Sequence, residues 1–342
     1  MAAFLYLASE MVPLSEKFKD VILTATGASS LEVEGSIQEL WSGYGQILRV
    51  LLDGKETVGA IVVKHVTMPT DSTHPRGWNS DLSHQRKIYS YQVESEWYRS
   101  WSQRCDDQCR IPKFLDFARD GEHVLLILED MDAAGYPGRM ASVSKNEMSL
   151  CLKWLAEFHA TFLGEKPVGL WEKGTYWHLE TRPEELEKLE DYELKAAAHL
   201  LDRILGEARY QTIVHGDAKL ANFCFSKDAD RVSALDFQYV GGGCGMKDVA
   251  YFIGSCLDES SCEEQEAFLL DTYFNFLTDA LQRRKPGVNA AKVAEEWRTL
   301  FPIAWTDFHR FLKGWCPGHR KINTYSERVA RDVIANLSKF TE

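Results

Sequence analysis

The sequence changes character near residue 130, and this change restricts the possible folds more than any other feature. Upstream, the apolar runs QILRVLL and ETVGAIVVKHV flank Asp53–Gly54. Such a dipeptide between two apolar runs is typical of a β-hairpin, because glycine accepts the positive φ of the turn. Downstream, apolar residues recur at three- and four-residue spacing, which predicts helices. We therefore expect an α+β fold, with a β-rich domain over residues 1–130 and a mostly helical domain over residues 131–342.

A glycine segment, WSGYGQI, precedes the hairpin. Gly43 and Gly45 would let backbone amides approach a phosphate group, because glycine carries no side chain. The strand after the hairpin turn is predicted to end at Lys64, from where the ammonium group could reach the phosphates of a nucleotide. Residues 67–83 are rich in Pro, Ser, Thr, Asp and Gly, and this composition predicts a loop.

The segment SHQRKIYSYQVESEWYRSWSQR has the periodicity of a helix. Tyr91, Glu94 and Tyr98 fall on one face at intervals of three and four residues, whereas Glu96 falls roughly opposite. An inward acidic role on this helix therefore belongs to Glu94, which could pair with Lys64 and fix its position. The run HVLLILEDM then predicts a buried strand that leads into a connector.

The most informative motif is HGDAKLANF, in which Lys219 follows Asp217 by two positions and Asn222 follows it by five. Asp236, in LDFQ, comes 19 residues after Asp217 at the end of a predicted strand. Phosphoryl transfer needs a carboxylate that accepts or orients the proton of an attacking hydroxyl, and a lysine that offsets phosphate charge. It also needs oxygen ligands for Mg²⁺, which an amide and a second carboxylate provide. The motif therefore predicts a phosphotransferase.

The composition excludes several partners. The formal net charge of −12 argues against nucleic-acid binding, which needs a basic face. No apolar run is long enough to span a bilayer, and the segment MAAFLYLASEMVPL lacks the basic start of a signal peptide. Cys105 and Cys109 lie close together but lack the further ligands of a zinc site. We therefore expect a cytoplasmic protein with reduced thiols and no membrane partner.

In their order along the chain, these motifs resemble the protein-kinase-like superfamily, and specifically its small-molecule kinases. HGDAKLANF and LDFQ are similar to the motifs of aminoglycoside phosphotransferases and choline kinases, and SYQVESEWY ahead of LILEDM is most similar to the ecdysteroid-kinase-like group. The resemblance covers nearly the whole chain and implies a bilobal fold. It also implies that Asp217 is the catalytic acid/base, that Lys219 faces phosphate, and that Asn222 and Asp236 bind Mg²⁺.

The same resemblance implies how ATP is held. Lys64, paired with Glu94, would clamp the nucleotide phosphates together with the glycine segment. The backbone carbonyl of Glu129 and the backbone amide of Met131 would meet the edge of the adenine ring.

The chain departs from the protein-kinase pattern in three places. His-Gly-Asp replaces His-Arg-Asp, and no Ala-Pro-Glu segment follows Asp236, because GGGCGMKDVAYF comes almost at once. There is no room for an activation loop or a shelf for a protein substrate, so a protein kinase is disfavoured. The glycine segment is also shorter than usual, and it leaves Ser42 and Tyr44 as alternative phosphate contacts.

Other residues near the motif have structural interpretations. His215 is expected to hold the loop by hydrogen bonds, and Asp248 to cap it from a helix N-terminus. The run Gly241–Gly243 is expected to be a turn. His159, on an apolar helix face, is expected to be a hydrogen-bonded core residue.

The C-terminal helices, predicted over residues 263–284, 290–313 and 325–339, should decide the acceptor. The segment EEWRTLFPIAWTDFHRFLKGW places Trp305 and Phe308 among acidic residues, and we expect these two aromatic side chains to contact the acceptor. Such a set suits a hydroxylated apolar molecule, or a cation held against a ring face.

Three functions remain open at this point. The first is an ATP-dependent kinase for a hydroxyl of a small, largely apolar molecule, and the second is a choline- or aminoglycoside-type kinase. A pocket with few acids would favour the first, and a pocket with many acids the second. The third is a nucleotide-binding pseudokinase that serves as an interaction module, which the intact acidic and amide residues of the loop disfavour. The acceptor and the oligomeric state are not determined by the sequence.

Overall fold

The structure of the chain is a computed structural model, and it describes residues 13–40, 43–54, 59–67 and 81–340. The chain divides into two compact units. The first comprises Met1–Tyr91 and Pro112–Gly135, and the second comprises Gln92–Ile111 and Tyr136–Glu342. The domain boundary near residue 130 stays a prediction.

Some sequence expectations fall outside the described residues. They concern the N-terminal segment up to residue 12, the alternative contact Ser42, the tip of the hairpin at residues 55–58, and most of the loop predicted over residues 67–83.

The first unit contains a five-stranded antiparallel sheet. Its strands are β1 (Ser30–Glu39), β2 (Gly45–Asp53), β3 (Ala60–Thr67), β4 (Phe114–Asp120) and β5 (His123–Glu129). They lie in the order β1-β2-β3-β5-β4. Every second residue of β2 is buried, as a strand with one face on a core requires. Helix α1 (Glu16–Thr26) packs on that face through Phe18 and Ile22.

The predicted pairing of the two strands around Asp53–Gly54 is confirmed, since β2 and β3 pair antiparallel from Gly45 with Val66 to Leu51 with Ala60. The prediction that the second strand ends at Lys64 is wrong. The strand continues to Thr67, because β5 supplies hydrogen-bonding partners on its other side as far as His123. Lys64 therefore lies inside the sheet, and its side chain is almost fully buried.

The helix predicted after the loop is confirmed as α2 (Asp81–Glu96), but its end is not regular. A π-helical turn, Trp97–Trp101, follows it directly. A π turn adds one residue to the helical repeat and so rotates the buried face by one position. Trp97 and Tyr98 are consequently both buried, and the Trp97 ring stacks on Phe237 at 4.8 Å.

The second unit is mostly helical, as predicted. Its α-helices are α3 (Lys145–Phe162), α4 (Pro183–Glu187), α5 (Tyr192–Gly206), α6 (Met246–Cys256), α7 (Glu259–Arg284), α8 (Ala290–Trp315) and α9 (Thr324–Ala335). The last three correspond to the three C-terminal helices expected from the sequence. Among the helices that the structure describes, none is both long and apolar enough to cross a bilayer.

Four short strands form two small sheets in this unit. They are β6 (Thr212–Val214), β7 (Phe223–Phe225), β8 (Val232–Ala234) and β9 (Gly241–Gly243), and they pair as β6 with β9 and as β7 with β8. The expectation that the three glycines form a turn is therefore wrong. A Cβ atom on Gly241 would lie 2.2 Å from the carbonyl oxygen of Trp171, so glycine is needed there because another backbone segment approaches closely.

Candidate functional site

The predicted catalytic loop leaves β6 and ends in a 3₁₀ turn, Leu220–Asn222, before β7 begins. Asp217 is buried within it. Its Oδ2 atom accepts hydrogen bonds from Lys219 Nζ at 2.8 Å and from Asn222 Nδ2 at 3.0 Å. The same Asn222 nitrogen donates to the backbone carbonyl of Asp217 at 2.8 Å. The structure therefore brings together the three residues that the motif spacing singled out.

The charges around this loop act on one another. Burial raises the pKa of Asp217, and the nearby Asp236 raises it further, whereas the Lys219 ammonium opposes the shift. Burial alone would lower the pKa of Lys219, but the negative charges of Asp217 and Asp236 hold it above its ordinary value. An aspartate with a raised pKa holds a proton more readily at neutral pH, which suits a group that accepts one during a reaction.

The two predicted Mg²⁺ ligands lie on neighbouring segments. The backbone N–H of Leu235 donates to the carbonyl of Asn222 at 2.8 Å, so Asp236 follows directly after a residue that is bonded to the loop. Because Nδ2 of Asn222 faces Asp217, its Oδ1 oxygen points away from that carboxylate. One amide oxygen and one carboxylate form a donor set that fits Mg²⁺.

Asp236 also has an uncommon backbone conformation. Its φ is +66°, in the left-handed region that residues other than glycine rarely adopt. Such a conformation costs about 1–3 kcal/mol and persists where the surrounding structure enforces it. The bond from Leu235 to Asn222 is one of the contacts that enforce it, and it fixes the place from which the carboxylate extends.

The carboxylate of Asp248, in α6, holds the loop by hydrogen bonds. It accepts the backbone N–H groups of His215 at 2.6 Å and Gly216 at 2.9 Å, together with His159 Nε2 at 3.1 Å. His215 Nε2 donates to the carbonyl of Leu235 at 2.9 Å. The expected structural roles of His215, Asp248 and His159 are therefore confirmed.

Gly216 is required by the loop geometry. Its φ is +81°, and a Cβ atom would lie 2.0 Å from the carbonyl oxygen of Tyr239. No side chain fits there, so the Gly of the His-Gly-Asp motif has a backbone reason that is independent of any ligand.

Two tyrosines beside Asp217 were missed by the sequence analysis. Tyr176 and Tyr251 are both buried, and burial raises the pKa of each hydroxyl, as does the adjacent charge of Asp217. Tyr251 lies three residues after Asp248 in α6, on the helix face that points toward the loop. The three-residue spacing from Asp248 therefore could have predicted that Tyr251 faces the loop. Tyr176 comes from a distant loop, and no local pattern indicates it.

In the first unit, the two glycines of the glycine segment differ. Both have positive φ, +77° at Gly43 and +126° at Gly45. A Cβ atom on Gly45 would lie 2.1 Å from the carbonyl oxygen of His65, whereas one on Gly43 would meet none of the described residues within 4 Å. Gly45 is therefore needed for strand packing, and no described residue restricts Gly43 in this way. The alternative contact Tyr44 is buried, and its hydroxyl bonds to His84.

Lys64 lies over the Tyr91 ring, with its Nζ atom 5.6 Å from the ring centroid. Glu94 is buried, as expected for the inward face of its helix, while Glu96 is partly exposed. Lys64 belongs to the first unit and Glu94 to the second, and their pairing stays a prediction.

The connector after β5 is tied to the sheet by Arg49. The arginine bonds to Asp130 at 2.7 Å and to Asp132 at 2.5 Å, and the Asp130 carboxylate also accepts the N–H of Asp132 at 2.9 Å. These bonds fix the backbone around Glu129 and Met131. Their contacts with adenine stay a prediction.

Trp305 and Phe308 line a cavity of about 260 Å³ in the second unit. The Phe308 ring lies 4.8 Å from that of Tyr251, which connects this cavity to the surroundings of Asp217. Asp307 does not face the cavity. It is buried, and it pairs with Arg310 at 2.8 Å and with Trp177 Nε1 at 3.2 Å.

Comparison with known proteins agrees with this geometry. Residues 171–285 match the model of the ecdysteroid kinase-like family, and this segment contains Asp217, Asn222 and Asp236. A search of curated protein sequences finds no match.

Several solved structures are similar to the chain. A choline kinase from Cryptosporidium parvum is 13% identical over 91% of this chain and 89% of its own, with a TM-score of 0.50. A microcompartment-associated aminopropanol kinase is 16% identical, with coverage of 96% and 98% and a TM-score of 0.45. An aminoglycoside phosphotransferase from Streptomyces rimosus, solved with ADP and streptomycin, is 15% identical, with coverage of 84% and 98% and a TM-score of 0.45.

The β-rich first unit and the helical second unit form the protein-kinase-like fold. The predicted resemblance to the small-molecule kinases of that superfamily is confirmed, and residues 171–285 are similar to the ecdysteroid kinase-like family.

Proposed function

We propose that the protein is an ATP-dependent phosphotransferase that transfers the γ-phosphate to a hydroxyl group of a small molecule. The observation that carries this proposal is the buried cluster of Asp217, Lys219 and Asn222, tied through Leu235 to the segment of Asp236. A buried acid with a raised pKa, a lysine in contact with it and two oxygen ligands are the parts that phosphoryl transfer uses.

In the proposed reaction, Asp217 accepts the proton of the acceptor hydroxyl as the oxygen attacks the γ-phosphorus. The new O–P bond forms as the bond to the β-phosphate oxygen breaks, and ADP leaves. Lys219 lies 2.8 Å from Asp217 and provides positive charge beside the transferred group. Asn222 and Asp236 would hold Mg²⁺, which offsets the charge of the phosphates when bound.

Most of the residues that would hold the nucleotide belong to the first unit. Gly43 has a positive φ, and none of the described residues would lie within 4 Å of a Cβ atom there, so it can present its backbone N–H to a phosphate. Lys64 would contact the phosphates with Glu94 as its partner, and the connector at Glu129 and Met131 would meet the adenine.

The acceptor would occupy the cavity lined by Trp305 and Phe308. Large apolar rings favour a largely apolar molecule, since burial of apolar surface provides most of the binding free energy for such a ligand. Asp307 is buried in its pair with Arg310, and the two acids that line the cavity, Asp258 and Glu259, are matched by two basic residues, Arg320 and Lys321, so the lining is not acid-rich as a polycationic acceptor would require. This observation favours the apolar hydroxyl acceptor over an aminoglycoside-type acceptor.

The decisive experiment measures ATP turnover with Mg²⁺ against a library of hydroxylated metabolites, for the wild type and for Asp217→Asn. We expect the variant to bind ATP normally and to lose about 10²–10⁴-fold in turnover, the range for a missing general base. Asp228→Asn, an exposed carboxylate on the turn after β7, is the matched control and should be silent.

Near wild-type turnover of the Asp217 variant on the true acceptor would refute the assignment of the loop. Nucleotide binding by the wild type without transfer to any member of the library would instead favour the pseudokinase hypothesis.

A further inference from the structure

The Lys321 side chain reaches into the acceptor cavity from the segment that precedes α9. Its Nζ atom lies 5.0 Å from the centroid of the Tyr251 ring and 5.5 Å from that of the Phe308 ring. Both rings belong to one buried cluster, and they contact each other at 4.8 Å. An ammonium group over two ring faces is the geometry by which aromatic side chains bind quaternary ammonium ligands.

Lys321 has no carboxylate partner within ion-pair distance among residues 13–40, 43–54, 59–67 and 81–340. Burial and the neighbouring charge of Arg320 lower the pKa of Lys321 to about 8, while Cys256 and Asp217 act in the opposite direction. At pH 7 the group still carries its charge. A partly buried cation without an ion-pair partner is costly, and an anion that entered the cavity would relieve that cost.

Two acids line the cavity beside Lys321, Asp258 and Glu259 at the start of α7, and among the described residues neither forms an ion pair with Lys321. Asp258 caps α7, where it accepts the N–H of Ser261 at 2.9 Å and the hydroxyl of Ser260 at 3.2 Å. Asp307 is buried in its pair with Arg310. The ring faces that a cationic acceptor would need are therefore already covered by a cation of the protein itself.

We propose that Lys321 determines acceptor specificity: its ammonium group covers the ring faces of Tyr251 and Phe308, so the cavity rejects quaternary ammonium compounds and takes a hydroxylated apolar molecule that bears an anionic oxygen group. The inference rests on the proposed function, because it assigns the acceptor to this cavity. The inference restricts the acceptor to hydroxylated apolar molecules with an anionic oxygen group, and this class does not include choline- or aminoglycoside-type substrates.

The test uses three probes of one shape, each a benzyl alcohol with a different group opposite the hydroxymethyl. They are 4-(hydroxymethyl)benzoate, its methyl ester, and the matching trimethylammonium compound. Binding at pH 7 is followed by calorimetry and by intrinsic tryptophan fluorescence, to which Trp305, in the cavity lining, contributes. The wild type should bind the carboxylate at least about tenfold more tightly than the ester, a difference of about 1.4 kcal/mol, and should bind the ammonium probe most weakly.

Three variants separate charge from structure. Lys321→Met should lose the carboxylate preference and bind the ammonium probe more tightly than the wild type does, because the ring faces become available. Lys321→Arg keeps the charge and should keep the preference, so a purely structural role would not reproduce this pattern. Lys227→Met, an exposed lysine on the turn after β7, is the control and should behave like the wild type.

Equal binding of the ammonium and carboxylate probes by the wild type would overturn the inference, as would an unchanged preference in Lys321→Met or failure of all three probes to bind. Because these measurements record binding and not transfer, they are independent of the Asp217→Asn experiment. Absence of the carboxylate preference in a wild type that transfers phosphate normally would refute the role of Lys321 alone, whereas absence of transfer in a wild type that shows the preference would refute the proposed function.

Discussion

Asp248 is the residue whose removal should affect the candidate site most without touching any ligand. Its buried carboxylate accepts the backbone N–H groups of His215 and Gly216, and it also bonds to His159. In Asp248→Ala both backbone donors would lose their acceptor. A buried donor without an acceptor costs about 1–3 kcal/mol, so the two together cost about 2–6 kcal/mol. Asp248→Asn keeps one acceptor oxygen and should cost about half as much.

The loss in free energy of unfolding can be converted into a change in melting temperature. For a unit of roughly 200 residues, 1 kcal/mol lowers Tm by about 2–4 °C, so a loss of about 4 kcal/mol predicts a fall of about 8–16 °C. Calorimetry measures this fall, and kcat should decrease with it because Asp217 is two residues from His215. Asp258→Ala removes a similar acceptor at the exposed start of α7 and is the control, with an expected cost of about 1 kcal/mol.

A fall in Tm no larger than that of the Asp258 control, together with unchanged kcat, would show that the carboxylate of Asp248 does not hold the catalytic loop. A large fall in Tm with unchanged kcat would leave Asp248 as a stabilising residue and would contradict its role in positioning Asp217.

Three further predictions concern the nucleotide site and acid stability. Asp236→Ala should abolish the Mg²⁺ dependence of binding of a fluorescent ATP analogue, and unchanged dependence would remove Asp236 from the metal site. Lys64→Met and Glu94→Gln should each weaken nucleotide binding, with the double variant hardly worse than either, and fully additive losses would contradict their pairing. Burial and the charge of a neighbouring histidine lower the pKa of His65 to about 4, so the unfolded chain binds its proton first and stability falls as pH drops from about 6.5 toward 4. His65→Leu should remove about 2 kcal/mol of the loss of stability between pH 7 and pH 5, measured by denaturant titration at both values.

Local patterns were sufficient for the residues whose roles depend on short sequence separations. Asp217 and Asn222 lie within one loop, so their spacing alone predicts that their side chains can meet, and the structure joins them at 3.0 Å. The helical faces were predicted equally well, because periodicity reports burial directly. Glu94 is buried on the predicted inward face for this reason.

The wrong predictions share a different cause. The strand was predicted to end at Lys64, but the pairing of β3 with β5 carries it to Thr67. The three glycines Gly241–Gly243 were taken as a turn from composition, whereas the backbone of Trp171 approaches them and makes them a strand. In both places a segment that is distant in sequence determines the local structure, and a prediction from a short stretch of sequence does not take that segment into account.

The prediction of the acceptor from the sequence is limited for the same reason, because distant segments determine which residues line the cavity. The sequence shows aromatic residues near acids in α8, and both a cationic and an apolar acceptor fit that description. The choice between them depends on which charges actually face the rings. Asp307 turns away into a pair with Arg310, while Lys321, from a separate segment of the chain, lies over Phe308. The charge that faces the rings therefore depends on a contact between residues 13 positions apart and on a buried ion pair, and composition reveals neither of them. If Lys321→Met acquires affinity for the ammonium probe, the replacement of one side chain will have converted the cavity between the two substrate classes that the sequence could not separate.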